Sequence, residues 1–248
     1  MAAQPEPAVA IRGLRKSFGP HDVLNGIDLE VPTGAVFALL GANGAGKTTT
    51  IAILTTLLKP DSGGATVAGF DVATQGARVR EAITVTGQSV SVDPVLTGLE
   101  NLTLIARLRH VARPKQVAAE LVERFGLGDA AGKPAGAYSG GMKRRLDIAM
   151  SLIGDPKIVF LDEPTTGLDP AGRREVWAAV EQLAHQGATV ILTTQHMEEA
   201  AQLADVIALL HDGVIAALGD QAAILAAAGD APNLESAFLT LTGAGTAS

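Results

Sequence analysis

The chain has 248 residues, a formal net charge of −7 and no cysteine. The lack of cysteine excludes disulfides, thiolate chemistry and cysteine-based zinc sites, and the acidic balance argues against a protein that coats nucleic acid. No apolar run approaches the roughly 18 residues that span a bilayer, and Met1–Pro7 lacks the basic start and apolar core of a secretory signal. We therefore expect a cytoplasmic protein.

Apolar runs alternate with amphipathic stretches along the chain. The apolar runs predict strands at Ala8–Ile11, Val23–Val31, Ala35–Leu40, Ile83–Thr86, Ile158–Leu161, Thr189–Thr193, Val206–Leu210 and Val214–Ala217. The amphipathic stretches predict helices at Thr48–Leu58, Gly98–Val111, Lys115–Phe125, Gly140–Ile153, Ala171–His185 and Met197–Leu203. Alternation of this kind predicts an α/β fold with a central, largely parallel sheet.

The middle of the chain departs from this alternation. Residues 90–155 carry helical patterns and almost no strand, which is more consecutive helix than simple crossovers need. We interpret this stretch as a helical subdomain inserted in a nucleotide-binding domain that covers residues 1–220. Residues 221–248 are expected to form a short C-terminal extension, with one amphipathic piece at Leu234–Leu241.

Residues 41–48 match the pattern G-x-x-x-x-G-K-[ST], the phosphate-binding loop of many NTPases. A predicted strand precedes the loop and a predicted helix follows it, which is the context that this motif requires. Backbone N–H groups would bind phosphate oxygens, Lys47 would reach the β- and γ-phosphates, and Thr48 would ligate Mg²⁺. The nucleotide-binding positions predicted here are Gly41, Ala42, Asn43, Gly44, Ala45, Gly46, Lys47, Thr48 and Thr49.

A second apolar strand, Ile158–Leu161, ends in the acidic pair Asp162 and Glu163. In a parallel sheet, such a pair lies at the carboxyl edge, beside the phosphate loop. Asp162 is the candidate ligand of Mg²⁺, and Glu163 is the candidate group that polarises the attacking water. A surface acidic pair that merely ends a strand is the alternative.

Further motifs occur in the order found in one family. They are Phe18 before Gly19-Pro20, Gln88, Tyr138-Ser139-Gly140-Gly141-Met142, Gly167-Leu168-Asp169 and His196. With the phosphate loop and the acidic pair, these motifs resemble those of ABC-type ATPases. Met142 departs from the family pattern, which usually has Gln there.

The resemblance implies the fold and the remaining site residues. It implies a P-loop NTPase core with a mixed, largely parallel sheet, an N-terminal antiparallel β-subdomain and the inserted helical subdomain. Phe18 would stack on adenine, His196 would join Lys47 and Glu163 in catalysis, and Gln88 would sense the metal together with Thr48 and Asp162. ATP and Mg²⁺ are the implied cofactors.

The resemblance also implies two head-to-tail copies of the chain. Ser139, Gly140 and Gly141 would contact the ATP that is bound mainly by the other copy, and Asp169 would communicate between the two. The N-cap position of Ser139 is also an ordinary way to begin a helix. Asp169 likewise has two interpretations, because an Asp before Pro170 is also an ordinary helix start.

Four runs resemble ATP-binding subunits of daunorubicin/doxorubicin-resistance-type exporters: Thr86–Gln88, Leu96–Leu102, Tyr138–Arg145 and Leu234–Gly243. This resemblance implies a separate transmembrane permease, which would hold the chain at the inner face of the membrane. An importer subunit, or a soluble ABC ATPase acting on nucleic acid or ribosomes, remains an alternative. A GTPase is a weaker one: residues 61–64 fit D-x-x-G, but no N-K-x-D follows.

Overall fold

The computed structural model describes residues 6–87 and 90–243. Their strands are β1 Val9–Phe18, β2 His21–Val31, β3 Val36–Leu40, β4 Ser62–Val67, β5 Phe70–Asp71, β6 Ile83–Thr86, β7 Ile158–Asp162, β8 Thr189–Thr194, β9 Val206–His211 and β10 Val214–Gly219. Their α-helices are α1 Lys47–Leu54, α2 Gly76–Ala82, α3 Gly98–Leu108, α4 Pro114–Arg124, α5 Gly140–Ser151, α6 Pro170–His185, α7 Met197–Leu203, α8 Gln221–Ala227 and α9 Leu234–Thr242.

The central sheet has the strand order β10-β9-β3-β8-β7-β6. Every neighbouring pair from β9 to β6 is parallel, and β10 is antiparallel to β9. Strands β3, β7 and β8 are buried along their whole length, which explains the apolar runs Val36–Leu40, Ile158–Leu161 and Val190–Leu192 within them. The predicted mixed, largely parallel sheet is confirmed.

A second sheet, with the order β2-β1-β4-β5, is antiparallel throughout. Its buried side chains, among them Ile11 and Ile27, form one core with Phe37 and Leu39 of the central sheet. The alternate residues of β3, such as Ala38, belong to a separate core on the opposite face. The central sheet therefore lies between the predicted antiparallel β-subdomain and a layer of helices.

Helices α3, α4 and α5 follow one another between β6 and β7. Their buried side chains, which include Leu102, Leu121 and Leu146, join the helical-side core. The helical insertion therefore has its predicted place in the chain, while the division into domains at residues 90–155 and 220 stays a prediction.

Several bounds differ from those predicted. Helix α1 ends at Leu54 instead of Leu58, because Thr56 adopts a left-handed backbone with φ 65°. Strand β4 was missed because it opens on the turn-like residues Ser-Gly-Gly. Glycine is required at position 63, since a Cβ there would collide with the carbonyl of Gly13 on the neighbouring strand β1.

The D-x-x-G match at residues 61–64 marks a strand start. Asp61 accepts hydrogen bonds from the Lys16 ammonium and the Ser17 N–H, each at 2.7 Å, so it fixes β4 to β1. Within the described part of the chain, no helix combines the length and apolarity that crossing a bilayer requires.

Candidate functional site

The phosphate loop connects β3 to α1 and curls around the side chain of Lys47. The Lys47 ammonium donates hydrogen bonds to the carbonyls of Gly41 at 2.9 Å and Ala42 at 3.1 Å. Gly46 begins the helix with φ 107°, and a Cβ there would lie 2.7 Å from Leu24. The position must be glycine for two reasons: its backbone is left-handed, and the loop passes too close to β2 to leave room for a Cβ.

The two acidic residues of the β7 end lie where the sequence predicts. Asp162 is buried, and Thr48 Oγ1 is 3.3 Å from its nearer carboxylate oxygen. Glu163 Oε1 is 3.4 Å from Lys47 Nζ. Thus the phosphate loop and the acidic pair, although separated by more than 100 positions, form one cluster at the carboxyl edge of the sheet.

Glu163 has an unusual backbone. Its φ is 48°, in the left-handed region that a side chain with a Cβ rarely adopts. Backbone strain of this kind is found at functional sites, where the surrounding structure must hold it. The sequence gives no sign of it, since a strand that ends in two acids is ordinary.

Thr193 is a site residue that sequence reasoning missed. Its hydroxyl donates to Asp162 Oδ1 at 2.5 Å and accepts from the Glu163 N–H at 3.0 Å, and it is fully buried. It therefore fixes both acidic residues from the neighbouring strand β8. The available signal was a pair of threonines ending an apolar strand at the carboxyl edge.

A cavity of about 510 Å³ opens above the phosphate loop. Its lining includes Phe18, Val23, Asn43, Thr49 and Glu163. Phe18 stands at the end of β1 and is 49% exposed, which is unusual for an aromatic ring that a core would otherwise bury. The cavity therefore has an apolar ring at one end and a glycine-rich loop at the other.

The motif Tyr138–Met142, called the signature motif from here on, lies next to the helix start at Asp169. Ser139 caps α5 by accepting from the Met142 N–H at 3.2 Å, and Asp169 caps α6 by accepting from the Gly172 N–H at 2.8 Å. Gly141 packs so closely on Gly172 that a Cβ would lie 3.0 Å from its Cα. The two helix starts are thus fixed side by side, with Ser139 and Asp169 exposed.

Tyr138 holds the start of α5 against the helical insertion. Its hydroxyl donates to the Ala130 carbonyl at 2.7 Å, and burial raises the pKa of this phenol. Its ring occupies the space that a side chain at Gly98 would need. Tyr138 therefore joins the start of α5 to both Gly98 and Ala130 of the helical insertion.

His196 follows β8, as predicted, and immediately precedes α7. The backbone N–H of His196 donates to Thr194 Oγ1 at 2.9 Å, while the Thr194 carbonyl accepts from the backbone N–H of Gly41 at 3.1 Å. The histidine is therefore attached to the strand next to the phosphate loop. Gln88 lies outside the described residues, so its predicted role stays a prediction.

The residues present fit a magnesium nucleotide. The cavity offers glycine-rich backbone and Lys47 for phosphates, and hydroxyl and carboxylate oxygens of Thr48 and Asp162, which are the hard ligands that Mg²⁺ prefers. The described residues hold no group of three or more His, Cys, Asp or Glu side chains that could bind a metal by themselves.

Comparison with known proteins agrees with this site. Residues 24–166 match the family model described as ABC transporter. The chain is 51% identical over 221 residues to the daunorubicin/doxorubicin resistance ATP-binding protein DrrA of Streptomyces peucetius, covering 88% of this chain and 67% of that protein. It is 46% identical over 227 residues to the doxorubicin resistance ATP-binding protein DrrA of Mycobacterium tuberculosis, covering 90% and 69%.

The chain therefore spans about two thirds of the length of these curated relatives. A solved structure of the ATP-binding subunit of an ABC transporter matches with a TM-score of 0.81 and 25% identity, covering 94% of this chain and 99% of that one. The phosphate loop, the acidic strand end and these likenesses together establish that the chain belongs to the ABC transporter ATP-binding family.

Proposed function

We propose that this chain hydrolyses ATP to power export by a separate transmembrane permease, and that it works as a head-to-tail pair. The observation that carries the proposal is the convergence of Lys47, Thr48, Asp162 and Glu163 at one sheet edge. The relatives named for resistance to daunorubicin and doxorubicin make a drug of that kind the best supported substrate of the transporter.

The site residues divide the chemistry between them. Lys47 and the loop N–H groups neutralise the phosphate charge, and the start of α1 adds its partial positive charge. Glu163 orients the attacking water and accepts its proton, while His196 donates to the γ-phosphate. Mg²⁺, held by Thr48 and Asp162, would supply further neutralisation of the charge that develops on the phosphate oxygens. Catalysis is then mainly positioning plus electrostatics.

The exposed signature motif supports the paired arrangement. Ser139 and Gly140 are exposed at the N-terminus of α5, whereas the cavity above the phosphate loop is lined from β1, β2, the loop and Glu163. A helix N-terminus with free N–H groups attracts an anion. In a head-to-tail pair, this terminus meets the γ-phosphate held by the other copy, so ATP joins the two chains and its hydrolysis separates them.

The helical insertion supports contact with a permease. Val95 is 80% exposed, and Leu99, Leu104 and Leu108 are also exposed on or beside α3. Large apolar side chains clustered on a surface are a mark of interaction sites. We place the permease contact on this surface, around Val95–Leu102. An importer would present a similar surface, so it is the resistance relatives that favour export.

The test combines hydrolysis with capture of the partner. The purified chain is expected to hydrolyse MgATP, and Lys47→Ala is the inactive control. Tagged chain extracted from its own host membranes in mild detergent should co-purify with a hydrophobic membrane protein, and Val95→Asp should weaken that association while ATP hydrolysis by the isolated chain persists. Absence of hydrolysis, or stable association with ribosomes or nucleic acid instead, would contradict the proposal.

A further inference from the structure

Helix α5 buries an ion pair that the roles above do not use. Arg144 and Asp147 are 3% and 5% exposed, and their Nη1 and Oδ2 atoms lie 3.3 Å apart. Burial is the main influence on both: it lowers the pKa of Arg144 and raises the pKa of Asp147. A buried pair of this kind often contributes less to stability than apolar residues of the same volume would. Its contacts therefore deserve an explanation beyond stability.

Arg144 holds the backbone on both sides of Glu163. Its Nε donates to the Pro164 carbonyl at 2.9 Å, and its Nη2 donates to the Asp162 carbonyl at 3.3 Å. Glu163, between these two carbonyls, has the left-handed backbone described above. Strained backbone persists only where its neighbours are fixed, and here the guanidinium fixes both neighbours.

The same pair also holds two described residues that follow β6. Arg144 Nη1 donates to the Gly87 carbonyl at 2.7 Å, and Asp147 Oδ1 accepts from the Ser91 N–H at 3.1 Å. Gly87 and Ser91 are thus attached to two side chains that lie one turn apart on α5. The ion pair connects the end of β7, these two residues and the helix that begins after Ser139.

We propose that Arg144, oriented by Asp147, is a positioning residue that sets the direction of the Glu163 carboxylate. The proposal rests on the proposed ATP hydrolysis. Only a planar guanidinium can donate to three carbonyls that lie in different directions while pairing with a carboxylate. A lysine ammonium keeps the charge but cannot reach this set of acceptors together, so charge and position can be separated by experiment.

The first experiment is Arg144→Lys, with steady-state hydrolysis and ATP binding measured on the same preparation. We expect kcat to fall about 10- to 100-fold, since small misplacement of a catalytic group has effects of that size. The Kd for ATP should stay within about twofold, because Lys47 and the loop are untouched. Arg80→Lys is the matched control: its guanidinium is exposed and donates to Thr56 Oγ1 at 2.8 Å on the surface.

A double variant separates positioning from support of the fold. Arg144→Met with Asp147→Leu removes both buried charges, whereas Arg144→Met alone leaves Asp147 as an unpaired buried carboxylate, so the double variant should have the higher thermal midpoint of the two. Both should be less stable than the wild type, because the carbonyls of Gly87, Pro164 and Asp162 lose the guanidinium. We expect kcat to be as low in the double variant as in Arg144→Met, despite the partly restored stability. Asp147→Asn, which keeps an acceptor for Ser91, should give an intermediate kcat.

Recovery of kcat together with stability in the double variant would overturn the proposal, and so would a wild-type kcat in Arg144→Lys. If the double variant fails to fold, Arg144→Lys still decides the question. Failure of the proposed function itself looks different, because then the wild-type chain would not hydrolyse ATP at all.

Discussion

The ammonium of Lys47 lies 3.4 Å from the carboxylate of Glu163, and the two side chains are 4% and 10% exposed. One comes from the phosphate loop and the other from the end of β7. The cation that would hold the phosphates and the base that would orient water are therefore in direct electrostatic contact. Replacing either residue should therefore change both the stability of the fold and the function of the other residue.

Lys47→Ala should remove ATP binding and also destabilise the fold by about 3–5 kcal/mol, because it leaves Glu163 as an unpaired, nearly buried carboxylate. Adding Glu163→Gln should restore part of the lost stability, since the Gly41 and Ala42 carbonyls still lack their Lys47 donor, and none of the ATP affinity. Thermal unfolding and nucleotide titration of the two single variants and the double variant measure the coupling. ATP binding by the double variant would contradict the role of Lys47.

Thr193→Val should lower kcat and raise the Mg²⁺ concentration needed for half-maximal rate. The valine has nearly the same shape but can neither donate to Asp162 nor accept from the Glu163 N–H. Losing these two buried hydrogen bonds costs about 1–3 kcal/mol, although Asp162 keeps Thr48 and the Glu163 N–H keeps the Thr193 carbonyl. Thr193→Ser, which keeps the hydroxyl, is the matched control and should hydrolyse ATP almost normally; equal loss in both variants would contradict this account.

Phe18→Ala should weaken ATP binding at least about fivefold, which corresponds to the roughly 1–3 kcal/mol that a base gains by stacking on an aromatic side chain. The half-exposed ring lines the cavity above the phosphate loop. Phe18→Trp should preserve affinity, and inorganic triphosphate, which has no base, should bind Phe18→Ala and wild type equally. If Phe18→Ala weakened the binding of triphosphate as much as the binding of ATP, Phe18 would act only by supporting the fold.

Glu100 gives a pH-dependent contribution to stability. Its carboxylate accepts from the N–H and the hydroxyl of Thr97 in a capping box at the start of α3, and these hydrogen bonds lower the pKa of Glu100 below its ordinary value of 4.5. Since the folded-state pKa is the lower one, the contribution is complete above the unfolded value and disappears as pH falls through the folded value.

Thermal midpoints of wild type and Glu100→Gln, measured from pH 7 down to pH 3, test this. The wild type should be the more stable at neutral pH, and the difference should shrink below about pH 4.5, the ordinary value for this carboxyl. A difference that stays constant over the whole range would contradict the assignment.

The sequence predicted those site residues whose signal is local. Lys47 lies in a glycine-rich loop of fixed spacing, and Asp162 ends an apolar strand, so both the motif and its position in the sheet follow from neighbouring residues. The left-handed backbone of Glu163 could not be predicted, because tertiary contacts impose it.

The burial of Arg144 also could not be predicted from its neighbours in the sequence. Its partners Pro164 and Gly87 are 20 and 57 positions away in the sequence. Within the sequence the arginine belongs to a short basic run, for which a solvated helix face is the ordinary interpretation. In the fold that interpretation is wrong for Arg144, which is buried. Only the packing of α5 on the ends of β6 and β7 reveals it.

The most direct test of the central claim is the mass in solution of Glu163→Gln with MgATP. We predict a dimer, because ATP is bound but not hydrolysed and joins the phosphate loop of one copy to the Ser139 end of the other. Glu163→Gln combined with Ser139→Arg should bind one ATP per chain and remain a monomer. A Glu163→Gln variant that stays monomeric with ATP bound, or a double variant that still dimerises, would contradict the composite site.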